Sequence, residues 1–82
     1  MMSRADKLIE RACRHPGSLT FGELERLAGL FGFHQVRQRG SHRIFKRPGH
    51  PYFNFQESGG MAKIAQVRQL LDYAHSQGWL DD

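Results

Sequence analysis

The chain is 82 residues long, with 39% hydrophobic and 24% charged residues and a formal net charge of +4. That length is enough for one small domain and excludes a multidomain enzyme, because a single core typically takes on the order of 100 residues. Six Phe, two Tyr and one Trp supply apolar surface for a packed core, which excludes wholesale disorder.

In chain order, Ser3 followed by Asp6 has the form of an N-terminal helix cap. Ala5, Leu8, Ile9, Ala12 and Cys13 then fall at helical spacing and predict a first helix over about 4–13. His15-Pro16-Gly17-Ser18 ends it, because proline cannot continue the helix ladder. Thr20 with Glu23 is a capping box, and Phe21, Leu24, Leu27, Ala28 and Phe31 mark a second amphipathic helix stopped by Gly32. The period then changes. Phe33 to Arg39, His42 to Arg47 and Tyr52 to Gln56 are short and rich in Phe, Val, Ile and Tyr, with Gly40-Ser41 and Pro48-Gly49 between them. They predict a three-stranded antiparallel meander. After the flexible Ser58-Gly59-Gly60, the residues Ile64, Val67, Leu70, Leu71 and Ala74 predict a last helix closing near Gln77-Gly78.

Helix, helix, three strands, helix is an α+β order, and a three-stranded sheet must bury one face under the helices, giving two layers. The expectation is one domain over 1–82, with the helix stripes and part of Phe33, Val36, Ile44, Phe45, Phe53 and Phe55 as its core. Trp79 and Leu80 are expected to pack on that core. No run approaches the roughly 20 apolar residues of a membrane-spanning helix. Met1 to Lys7 lack the apolar core and cleavage site of a secretory signal, so a cytoplasmic location is expected. Cys13 is the single cysteine and has no disulfide partner within the chain.

The net charge is unevenly spread. Basic and acidic residues balance over residues 1–25, and residues 57–82 are slightly acidic. Between Arg26 and Gln56 lie Arg26, Arg37, Arg39, Arg43, Lys46 and Arg47 with no acidic residue. A polyanion is the natural partner for such a segment, and the excess of Arg over Lys suits phosphate binding and base stacking.

The same segment holds Gly40-Ser41-His42 at a hairpin turn. Histidine exchanges a proton near neutral pH, and flanking arginines attract the phosphodiester that such a proton would serve. In RNA the neighbouring 2′-hydroxyl can attack its own phosphate, so a proton shuttle and cations that stabilise the developing charge suffice, without a metal or other cofactor. On this reading His42 moves the proton, while Arg37, Arg39, Arg43 and Lys46 hold phosphates. Ser41 shapes the turn or bonds a phosphate, and Lys63 is a phosphate contact at the start of the last helix. A non-catalytic RNA-binding module fits the same residues, and a winged-helix DNA binder is disfavoured by the helix after the meander. Of the other histidines, His34 is expected to be half-buried in the first strand, His50 lies in a Pro-Gly-His-Pro turn, and His15 and His75 are structural. Cys13 and the histidines lack the paired short spacings of a zinc site. Ser41 has no acid and histidine around it to mark a nucleophile, and Gly59-Gly60 lacks the phosphate-loop pattern.

The run Gly32-Phe33 through Val36-Arg37-Gln38, then Gly40-Ser41-His42-Arg43 and a basic Pro-Gly turn, resembles the HicA toxins of bacterial type II toxin-antitoxin systems. The resemblance covers roughly residues 18–77, leaving the helix at about 4–13 as an addition to the minimal HicA core. It implies a fold like the double-stranded RNA-binding domain and a metal-independent endoribonuclease acting on mRNA. It also implies that His42 is the catalytic histidine and that a HicB-like antitoxin neutralises the toxin by covering its site. Many HicA toxins carry a Pro-x-His element after the third strand, where this chain reads Asn54-Phe55-Gln56-Glu57, so no second family histidine carries over.

Overall fold

A computed structural model describes residues 1–80. Three helices and one antiparallel sheet follow in the order α1 (Arg4–Arg14), α2 (Phe21–Leu30), β1 (His34–Arg39), β2 (His42–Lys46), β3 (Phe53–Gln56) and α3 (Ile64–Ser76). The fold is α+β, as the sequence predicts, and Pro16–Ser18 between α1 and α2 forms a single 3-10 turn. No helix among the described residues is long and apolar enough to cross a membrane.

Local chemistry sets the element ends. Ser3 and Thr20 cap α1 and α2, each with its reciprocal partner, Asp6 and Glu23, so both capping boxes are complete. At the end of α2, Gly32 takes a φ of 85°, its N–H donates to the Gly29 carbonyl, and the Phe33 N–H donates to the Ala28 carbonyl. This is a Schellman stop, and it delivers Phe33 into the core at the mouth of β1. Between β1 and β2 the two-residue turn Gly40-Ser41 has its positive φ, 59°, at Gly40, while no non-glycine residue among the described ones has one. That is the type II′ pattern, whose twist suits a tight hairpin.

The sheet order is β1-β2-β3. Arg39 pairs with His42 and Arg37 with Ile44 across β1 and β2, and His42 pairs with Gln56 and Phe45 with Phe53 across β2 and β3. Side chains alternate between sheet faces, so burial of Phe45, Phe53 and Phe55 assigns one face to the core. Leu8 and Ala12 from α1, Leu24, Leu27 and Ala28 from α2, and Val67, Leu70, Leu71 and Ala74 from α3 join them in one continuous cluster.

Two expectations for β1 are corrected. Val36 is 57% exposed rather than in the core, and His34 is exposed rather than half-buried. The reason is that β1 is the outer strand, exposed along its whole length, and a register shift between Gln35 and Arg37 leaves Val36 without a cross-strand partner. Phe33, just ahead of the strand, takes the buried place instead. Ile44 is only half-buried because it lies on the outward side of β2. The third strand also starts at Phe53, with Tyr52 ahead of it.

The C-terminal end closes on an aromatic cluster. Phe33 lies edge-on to Phe53 with ring centres 5.1 Å apart, and Trp79 packs against Phe31 and His50 at 6.0 and 5.1 Å. His50 Nδ1 sits 2.6 Å from the Tyr73 hydroxyl. Trp79 and Leu80 are thus partly buried against the core, as expected.

Arg11 of α1 pairs with Glu23 of α2, so one carboxylate serves both the α2 cap and the α1–α2 contact. The Arg11 hydrogen bond and the Thr20 backbone N–H hold Glu23 below the usual carboxylate range. A lowered folded-state pKa gives stability that is present above the unfolded pKa and lost as pH falls through the folded one. We therefore expect Glu23→Ala to cost about 1 kcal/mol in urea unfolding at neutral pH. The gap to the wild type should shrink in acid, and a gap that widens there would contradict the assignment.

Candidate nucleic-acid interface

The alternation that buries three phenylalanines also builds the opposite face. With Phe45, Phe53 and Phe55 turned to the helices, His42, Ile44 and Lys46 of β2 and Asn54 and Gln56 of β3 point outward. Cross-strand pairing adds Arg37 and Arg39 from β1 to the same face. No helix among the described residues covers it, and Arg37, Arg39, His42, Lys46 and Asn54 are all exposed.

His42 occupies the central strand, with Arg39 opposite it on one side and Gln56 on the other. Its Nδ1 lies 3.2 Å from Asn54 Oδ1. Gln56 ties together the neighbouring polar groups. Its side-chain amide nitrogen reaches Ser41 Oγ at 3.5 Å, and its side-chain oxygen accepts from Lys63 Nζ at 2.7 Å. Its backbone N–H, on the outer edge of β3, donates to Gln66 Oε1 of α3 at 2.9 Å, which satisfies a sheet-edge donor. The Glu57 N–H donates to the Ser41 carbonyl at 3.1 Å and stitches the hairpin turn to the end of β3.

Lys63 is the N-cap residue of α3 and makes no capping hydrogen bond. Caps favour Ser, Thr, Asp or Asn, and a cation there opposes the positive end of the helix dipole. The lysine breaks both rules, and its ammonium instead bonds Gln56, the cross-strand partner of His42.

Of the sequence-predicted site residues, His42, Arg37, Arg39 and Lys46 share the open face, with Ser41 at its turn and Lys63 at its α3 margin. Arg43 does not join them, which corrects the expectation that it lies beside His42 on one surface. Its odd position in β2 turns it to the helix side, where it pairs with Glu57 at 3.2 Å and stacks 4.5 Å above the Phe21 ring. Arg47 is likewise structural: it donates to the Phe31 carbonyl at 2.9 Å and lies 4.3 Å from the centre of the Trp79 ring. Among the described residues, no group of three or more His, Cys, Asp or Glu side chains gathers as a metal cage.

Asn54, Gln56 and Gln66 also belong to this polar arrangement, although the sequence reading assigned them no role. Polar residues alternating with Phe53 and Phe55 signal an outward pair at 54 and 56. Their partners depend on the register across the 47–52 connection, where Pro48-Gly49 signals a turn but does not set which residues face each other.

The family model for the HicA toxin of bacterial toxin-antitoxin systems matches residues 21–75. The chain belongs to the HicA toxin family. The match runs from the first residue of α2 to the penultimate residue of α3, so it contains the whole sheet, while α1 and the 3-10 turn lie ahead of it. Searches of curated proteins and of solved structures returned no match. The Gly40-Ser41-His42 turn, the outward basic residues and Lys63 all fall inside the HicA match.

The split between the arginines is measurable. Arg43→Ala should lower stability by about 1–2 kcal/mol through loss of its ion pair and cation–π contact, whereas Arg39→Ala should stay within about 0.5 kcal/mol of the wild type. Equal losses in thermal unfolding would place both arginines on the same side of the sheet.

Proposed function

We propose that this chain is a metal-independent endoribonuclease that cleaves mRNA on the outward face of its sheet, with His42 moving the proton. The observation that carries the reading is the setting of His42, held at Nδ1 by Asn54 between Arg39 and the Gln56–Lys63 pair. Membership of a toxin family supports it.

An amide oxygen accepts hydrogen bonds and does not donate them, so the contact with Asn54 favours the tautomer protonated at Nδ1 and leaves Nε2 as the base. Nε2 takes the 2′-hydroxyl proton as O2′ forms its bond to phosphorus. The P–O5′ bond breaks, and the leaving 5′-oxygen receives that proton from the imidazolium. Products are a 2′,3′-cyclic phosphate and a 5′-hydroxyl. Arg39 and Lys63 stabilise the negative charge that builds on the non-bridging oxygens, and Arg37 and Lys46 hold flanking phosphates. Ser41 supports the turn and anchors Gln56. A HicB-like antitoxin neutralises the toxin by covering this face, where an acidic surface would meet Arg37, Arg39 and Lys46.

Purified protein incubated with a long mRNA in EDTA should cleave it, and His42→Ala should lose at least about a hundredfold in rate. Cleavage by both proteins alike removes His42 from catalysis. Binding by both without any cleavage makes the chain an RNA-binding module. Asn54→Ala should lower kcat about tenfold with little change in KM, because it disturbs the histidine's orientation and tautomer rather than RNA capture. A change in KM alone would assign Asn54 to binding.

A further inference from the structure

Beyond His42 the outward face changes character. Two residues along β2, about 7 Å away by strand geometry, Ile44 forms the floor of a shallow depression completed by Val36 and Tyr52, with Arg37 and Lys46 in its walls. Tyr52 is 61% exposed and Val36 57% exposed, so two large apolar groups stand open to water beside two cations. Neither follows from folding needs. The register shift at Val36 turns an apolar residue outward where a regular strand would have kept its alternation. Tyr52 follows Pro51, whose own φ is fixed by its ring, and precedes the buried Phe53, so it is carried between two held positions.

We propose that this depression binds one unpaired nucleobase of an RNA strand. The base lies against Val36 and Ile44 and stacks on Tyr52, while Arg37 and Lys46 bind the phosphates on either side of it. The proposal rests on the outward face being the RNA platform, and it assigns the substrate class there as single-stranded. A base within a duplex is stacked on both sides and cannot enter such a site, whereas a splayed base offers a ring face to an aromatic side chain. Charge favours the same occupant. Both flanking residues are cationic, and the chain from Arg26 to Gln56 contains no acidic residue that would repel a phosphate. Asn54, which holds His42, is the cross-strand neighbour of Ile44, so a strand seated in the depression continues directly to the catalytic histidine.

The test uses a His42→Ala background, so that RNA survives the titration. Fluorescence anisotropy would compare a labelled, non-self-complementary single-stranded RNA with a blunt RNA duplex. Tyr52→Ala should weaken single-strand binding about five- to a hundredfold, and Tyr52→Phe should stay within about twofold. Duplex binding should be unchanged by either substitution. Thermal unfolding of each variant should match the parent, since Tyr52 is mostly exposed. Single-strand affinity that ignores Tyr52→Ala, as expected if the patch serves a protein partner, overturns the proposal, and so does an equal loss on the duplex. Cleavage assays on the unsubstituted protein separate the two readings. Cleavage with Tyr52-independent binding removes the nucleobase site alone, whereas Tyr52-dependent binding without cleavage removes the catalytic reading alone.

Discussion

The pleat of β2 and β3 is the constraint on which the rest depends. Phe45, Phe53 and Phe55 must be buried under three helices, and a strand that turns every second residue inward has no choice about the others. His42 and Asn54 are therefore exposed, with the half-buried Gln56 beside them, because the phenylalanines are buried and in register. A slip of one residue between β2 and β3 would put the two strands out of phase, turning either Phe45 or the pair Phe53 and Phe55 out of the core and parting His42 from Asn54. Fold stability and site geometry are two consequences of a single register.

The same parity rule divides the basic residues. The segment from Arg26 to Gln56 reads as one block of positive charge, yet its members have different tasks. Arg43 and Arg47 are used inside the fold, each donating to an oxygen and lying over an aromatic ring. Arg37, Arg39 and Lys46 keep their charge on the open face. The α3 end adds Lys63, brought to the margin by Gln56, which α3 fixes through Gln66. The sheet thus presents a cationic and partly apolar surface around His42, a combination suited to a polyanion that also carries aromatic bases.

Much of this was legible in the sequence, for identifiable reasons. Capping boxes at Ser3 and Thr20, the stop at Gly32 and the Gly40-Ser41 turn are local signals, and local signals locate element ends. The histidine and its basic surroundings were legible because they are contiguous in the chain. What the sequence could not reveal depends on pairing across distance. The bulge that exposes Val36 arises from the β1–β2 register, and the inward turn of Arg43 toward Glu57 and Phe21 requires knowing which face the helices cover. The links from Asn54 to His42 and from Lys63 through Gln56 to Ser41 join residues far apart in sequence. The absent Pro-x-His element marked β3 as different, and the register shows Asn54 and Gln56 standing beside His42 there.

The central claim is that the outward face of the sheet is the working face. Backbone amide shifts of the isotopically labelled His42→Ala protein, followed by NMR during titration with single-stranded RNA, test it most directly. The account predicts changes concentrated at Arg37, Arg39, Ser41, Ile44, Lys46, Asn54, Gln56 and Lys63. Changes concentrated instead on α1 and α2, around Arg4, Lys7, Arg11 and Arg26, with the sheet residues still, would contradict it.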